Sequence, residues 1–73
     1  MTIHTFAVTG MHCASCGLLI DETLEDEIPG VTRSQTSVRA GRTVVHADQT
    51  VTPQQITQAI AGVGYTAAWE ATS

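Results

Sequence analysis

Ile3-His4-Thr5-Phe6-Ala7-Val8-Thr9-Gly10 runs straight into Met11-His12-Cys13-Ala14-Ser15-Cys16-Gly17-Leu18-Leu19-Ile20, and the change of period between the two stretches decides the fold. From Ile3 to Thr9 the residues alternate, with Phe6 and Val8 on one side and Thr5, Ala7 and Thr9 on the other, as in a half-buried strand. Gly10 ends it. Beyond the cysteines, Cys16, Ile20, Leu24 and Ile28 recur every fourth residue, an apolar stripe on a helix from about Ala14 to Glu27. Pro29-Gly30 stops that helix.

Working outward, a second strand is expected from Val31 to Arg39. Ala40-Gly41 then turns the chain into a third strand, Arg42 to Ala47, with Thr43, Val45 and Ala47 on one face. Thr52-Pro53-Gln54-Gln55 has the layout of a helix start: Thr52 as N-cap, Pro53 in the first turn and Gln55 as capping-box partner, with Val51 and Ile56 closing a hydrophobic staple. Ile56, Ala59, Ile60 and Val63 form the buried stripe of this second helix, and Gly62 and Gly64 bracket its end. A last short strand is expected from about Thr66 to Glu70. Strand, helix, strand, strand, helix, strand is the split βαβ order, an α+β ferredoxin-like βαββαβ fold with an antiparallel sheet and helices on one face. No repeat or linker interrupts it, so residues 1–73 read as a single domain.

A chain of 73 residues buries only about 60% of the surface it exposes when unfolded, so its core is small and marginal. It holds two cysteines, far below the density of a secreted disulfide scaffold, which favours a reducing, cytoplasmic setting with both as thiols. The first residues lack the charged segment and apolar run of a signal peptide, and no stretch approaches a membrane span, so membrane insertion by this module is not expected. Seven acidic residues against three arginines and no lysine leave a formal charge of −4, which argues against nucleic acid as a partner. A protein partner with a basic patch suits that charge better.

Cys13 and Cys16 lie where a strand gives way to a helix, close to free N–H groups and a dipole that favour negative charge and so the thiolate. A three-residue step there can bring both sulfurs to one ion. Two soft thiolates with no adjacent carboxylate suit Cu(I), which accepts two-coordination, better than Zn(II), which wants four ligands. An incomplete shell lets a partner thiolate attack the same ion and take it by ligand exchange, or lets a second copy share it in a metal-bridged homodimer. CxxC alone is also compatible with thiol-disulfide chemistry, half a zinc site or a structural disulfide.

The surroundings of the pair sharpen it. Gly10-Met11-His12-Cys13-Ala14-Ser15-Cys16, the Ile20/Leu24/Ile28 stripe, Pro29-Gly30-Val31, Val45 to Asp48 and Gly62-Val63-Gly64-Tyr65 closely resemble the heavy-metal-associated domain over nearly the whole chain. That family includes bacterial copper chaperones and the N-terminal metal-binding domains of copper-transporting P-type ATPases. The resemblance implies an open-faced sandwich, Cu(I) held near-linearly by Cys13 and Cys16, and transfer by docking to a P-type ATPase or a homologous domain. It implies that Met11 points into the core beneath the loop and that Tyr65 sits beside it. An aspartate before the first cysteine, which in related domains accompanies Zn(II) preference, is absent; His12 stands there.

Three further expectations follow. Ser34 and Thr36 occupy inward positions of the second strand where the family commonly has apolar residues, so their hydroxyls need partners. Asp21, Glu22, Glu25, Asp26 and Glu27 read as the solvated face of the first helix with no catalytic pairing, and His4 and His46 as surface or rim residues; the chain is not expected to be an enzyme. Leu18 and Leu19 fall off the buried stripe just after the metal loop, and an exposed apolar pair there would dock a partner. A cargo of Zn(II) or Cd(II), or a thiol-disulfide redox role, are the alternatives; the latter would need a cis-proline facing the cysteines, and neither Pro29 nor Pro53 is placed for it.

Overall fold

The computed structural model describes residues 2–12 and 14–73. Its elements are β1 (Thr2–Thr9), α1 (Ala14–Glu27), β2 (Val31–Ser37), β3 (Arg42–Ala47), α2 (Pro53–Gly62) and β4 (Thr66–Thr72). The four strands form one antiparallel sheet in the order β2-β3-β1-β4, so the ferredoxin-like architecture expected from the element order is the observed one. Phe6 and Val8 of β1 and Val45 and Ala47 of β3 face Ile20 and Leu24 of α1 and Ile56 and Ile60 of α2, all buried. The opposite face of the sheet carries Thr5, Ala7, Val44 and His46, only half-buried.

The start of α2 and the turn that follows α1 are set by local chemistry. The Thr52 hydroxyl accepts from Gln55 N (3.3 Å) and the Gln55 side chain accepts from Thr52 N (2.9 Å), a complete capping box, with Val51 and Ile56 buried beside it. At the end of α1, Gly30 has φ +99°, and its carbonyl accepts from Asp48 N at 2.9 Å. A Cβ on Gly30 would lie 2.8 Å from Asp48 Oδ2 and 2.9 Å from Val51 Cγ2, so α1, the loop after β3 and the entry to α2 cross at a point that tolerates only glycine. The Asp48 carboxyl is held below the usual carboxylate range, first by the Thr50 hydroxyl and then by the Thr50 N–H.

Two strand ends differ from expectation. β2 stops at Ser37, because the Ser37 hydroxyl takes the Ala40 N–H (3.2 Å) and Val38 O takes the Gly41 N–H (3.3 Å). Val38 and Arg39 are thereby drawn into the turn. β4 runs on to Thr72, because β1 begins early enough to pair with it: His4 faces Thr72, and Ile3 and Ser73 exchange both backbone bonds at 2.9 and 2.8 Å.

The expectation that His4 is a surface or rim residue is wrong. It is 4% exposed, with Nδ1 hydrogen-bonded to Thr72 Oγ1 at 2.9 Å, an oxygen that also accepts from Trp69 Nε1 at 2.9 Å. The alternation that places Phe6 and Val8 inside puts His4 on the same face, and period prevails over polarity. His46, one face over, is half-buried.

Candidate metal site

β1 delivers the chain to the sheet's edge, where Gly10 turns with φ +96°. A Cβ at Gly10 would lie 3.5 Å from Tyr65 Cδ1, so the Tyr65 ring stands directly against the cysteine loop. Tyr65 is brought there by the end of α2: Gly64, at φ +98°, reverses the chain, its N–H bonds Ala61 O at 3.0 Å and the Tyr65 N–H bonds Ile60 O at 3.3 Å. Met11 is half-buried and packs against the core, whereas His12 is exposed. Cys13 lies outside the described residues.

Cys16 is half-buried in the first turn of α1. It opens onto a shallow depression of about 420 Å³ lined by Ser15, Cys16, Leu18, Leu19, Glu22 and Tyr65. Leu18 is 63% and Leu19 44% exposed, so the two leucines lie uncovered next to the cysteine, as their position off the buried stripe suggests. Among the described residues no three His, Cys, Asp or Glu side chains gather into a cage. The β2–β3 turn borders the same end of the molecule, since Val8 N donates to Gly41 O at 2.8 Å and a Cβ on Gly17 would lie 3.1 Å from Val38 Cγ2.

The structure divides the acidic residues of α1. Glu22, Asp26 and Glu27 are exposed, as expected of a solvated face. Asp21 departs from it, being half-buried; Glu25 is exposed like the others but, like Asp21, follows Gly17 at four-residue steps and so lies over β2. Asp21 Oδ1 accepts from both the Ser34 and Thr36 hydroxyls at 2.7 Å, Asp21 Oδ2 accepts from Thr36 N at 3.2 Å, and Glu25 Oε2 accepts from Ser34 N at 2.9 Å. These are the partners that the hydroxyls of Ser34 and Thr36 require. They also occupy the N–H groups on the outer edge of an edge strand, which would otherwise invite another chain. The sequence carries a signal for this arrangement in the two hydroxyl residues at inward positions of β2, which demand an acceptor from α1.

Comparison with known proteins agrees with this geometry. The family model of the heavy-metal-associated domain matches residues 5–66. Mercuric reductase of Serratia marcescens is 38% identical over 60 residues, 82% of this chain and 13% of that protein. Mercuric reductase of Shigella flexneri is 35% identical over 63 residues, 86% of this chain and 11% of that protein. The chain thus spans only a small fraction of those relatives. Among solved structures, a copper-binding domain from HMA7, a P-type ATPase, superimposes with a TM-score of 0.94 at 27% identity, covering 100% of this chain and 99% of that one. The CopZ metallochaperone gives 0.85 at 28% identity, covering 90% and 98%, and the N-terminal domain of ZntA in its Zn(II) form gives 0.88 at 26%, covering 99% and 96%. The chain belongs to the heavy-metal-associated domain family, whose members bind metal and resemble both copper chaperones and transporter domains.

Proposed function

We propose that this chain is a cytoplasmic Cu(I) carrier whose ligands are Cys13 and Cys16, and that it passes the ion to a copper-transporting P-type ATPase or a homologous metal-binding domain. The observation that supports this reading is the setting of Cys16: a half-buried cysteine in the first turn of α1, opening onto a depression lined in part by Leu18, Leu19 and Tyr65. Two thiolates alone leave the ion short of ligands. A partner thiolate adds to the ion, giving a three-sulfur intermediate, and one of the carrier's sulfurs leaves, so the metal moves without being released to water. Gly10 allows the loop its turn, Met11 supports it from the core and Tyr65 shields one side; His12 is exposed and available to a second molecule. A metal-bridged homodimer uses the same exchange chemistry with a second copy as partner. The chain itself catalyses no covalent reaction.

X-ray absorption on the reduced, Cu(I)-loaded chain should show two sulfur neighbours and no nitrogen or oxygen in the inner shell; a four-ligand shell would overturn the assignment. A second cargo is favoured by one observation, the identity to mercuric reductases over most of this chain. Hg(II) is also soft and two-coordinate with thiolates, and the coarser reading, a soft two-coordinate ion on two thiolates, covers both. Competition of Cu(I), Hg(II), Zn(II) and Cd(II) for the reduced chain separates them, and tight retention of Zn(II) against Cu(I) would exclude the copper assignment.

Leu18 and Leu19 supply the apolar part of the docking surface, flanked by Glu22. Leu18→Asp should leave Cu(I) affinity unchanged and slow transfer to a partner domain by about tenfold, the loss of about 1.4 kcal/mol from a central apolar contact. Stopped-flow transfer kinetics check this, and an unchanged rate would remove Leu18 from the interface.

A further inference from the structure

Gly17, Asp21 and Glu25 form a second stripe on α1, adjacent to the Cys16/Ile20/Leu24 stripe that faces the core. Along this second stripe the contact with β2 is polar, although it is partly closed to water: Ser34 is 5% exposed and Thr43 is fully buried. Thr36 donates its single hydroxyl proton to Asp21, so at 3.0 Å Thr43 acts as donor to Thr36 Oγ1. The hydroxyl protons of Thr43, Thr36 and Ser34 thus all run toward one carboxylate, Asp21. Asp21 meets this set with two accepting oxygens, and every bond in it is directional.

We propose that Asp21 is a positioning residue for the metal site. An apolar contact, the commoner pattern at these β2 positions, resists separation of helix and sheet but restrains rotation and sliding only weakly. A carboxylate bonded to two hydroxyls and a backbone N–H restrains both. Gly17 lets the helix approach closely, its missing Cβ leaving only 3.1–3.4 Å to Val38 and Thr36. The residue before Gly17 is Cys16, so the rotation and height of the helix, and with them the position of the Cys16 sulfur, are set from the β2 side. The loop bearing Met11 and His12 then closes onto a sulfur that is already in place. Groups behind the ligand shell that orient a ligand in this way alter metal affinity by about 10- to 100-fold when removed. This inference rests on Cys16 being a ligand.

Two variants and two readouts test it. Asp21→Asn replaces an accepting oxygen with a donor aimed at other donors. The combination Asp21→Leu, Ser34→Val, Thr36→Val replaces the whole network with apolar packing, and so keeps the helix attached without directional bonds. Chelator competition for Cu(I) should show each variant, at a temperature where circular dichroism reports it folded, binding about tenfold more weakly than the unmodified chain. In a Cys13→Ser background without metal, the rate at which iodoacetamide alkylates Cys16 should change in both variants. A folded triple variant that holds Cu(I) as tightly as the unmodified chain, with Cys16 alkylated at the unmodified rate, would overturn the proposal. If Asp21→Asn does not fold, the triple variant decides alone. Failure of the unmodified chain to retain Cu(I) would count against the carrier function; the alkylation rates would still decide whether Asp21 positions Cys16.

Discussion

Changing Cys13 and Cys16 together to serine should abolish tight Cu(I) binding, lowering affinity by at least about four orders of magnitude while leaving the fold in place. The hydroxyl is a harder, weaker donor that stays protonated at neutral pH, so both charge and softness are lost from the site. Among the described residues the remaining soft sulfur, that of Met11, is packed against the core, and a thioether is a weaker Cu(I) ligand than a thiolate. Stability should barely change, since Cys16 is half-buried and serine is close in volume. The single variants should fall between the two extremes, each leaving one thiolate that holds the ion only with help from a buffer ligand or a second molecule. Chelator competition under reducing conditions measures the affinities, and a double-serine chain that kept Cu(I) would end the carrier reading.

The largest effect on folding is expected from Gly30→Ala. At φ +99° an L side chain meets its own backbone, which costs about 1–3 kcal/mol by itself. The added methyl would also lie 2.8 and 2.9 Å from the two Asp48 carboxylate oxygens and 2.9 Å from Val51 Cγ2. Val51 cannot move without disturbing the core, whereas the exposed Asp48 carboxylate can move at the cost of its bonds to Thr50. Asp48 accepts from Thr50 N (2.8 Å) and from the Thr50 hydroxyl, and Val51 is 4% exposed against the core. The total should reach about 4 kcal/mol, a large part of the stability of so small a domain. Gly62→Ala is the contrasting change: nothing lies within 4 Å of its Cβ position, and alanine in the last turn of α2 should stabilise by about 0.5–1 kcal/mol. Urea denaturation reads both, and equal midpoints for the two variants would show that the Gly30 crossing is not a point of close approach.

Charge on this molecule is divided between elements. Five of the seven acidic residues lie on α1, and all three arginines lie on β2, β3 or the turn between them. The depression beside Cys16 lies where these two regions meet, with Glu22 lining it and the turn that contains Arg39 bordering the same end. On the docking surface proposed above, a partner would meet an apolar centre formed by Leu18 and Leu19, with acidic charge on its α1 flank, and the charge would govern the encounter rate more than the final affinity.

The one-dimensional pattern was enough for the kind and order of every element, though not for the ends of β2 and β4. Alternation marked β1, four-residue recurrence marked α1, and Thr52, Pro53 and Gln55 marked the start of α2 through contacts that span no more than one turn. The motif of the proposed metal loop could be read for the same reason, its two cysteines being near neighbours in the chain. Tertiary structure alone decided what depended on neighbours far apart in sequence. The alternation of β1 already puts His4 on the inner face, but its polar partner Thr72, itself bonded by Trp69, arrives from the other end of the chain. Asp21 is half-buried against β2, and the exposed Glu25 reaches Ser34 N, because the hydroxyls and N–H groups of Ser34 and Thr36 face them there. A carboxylate's periodicity says which face of its helix it occupies, but whether that face meets water or a buried donor is settled only when a second element arrives.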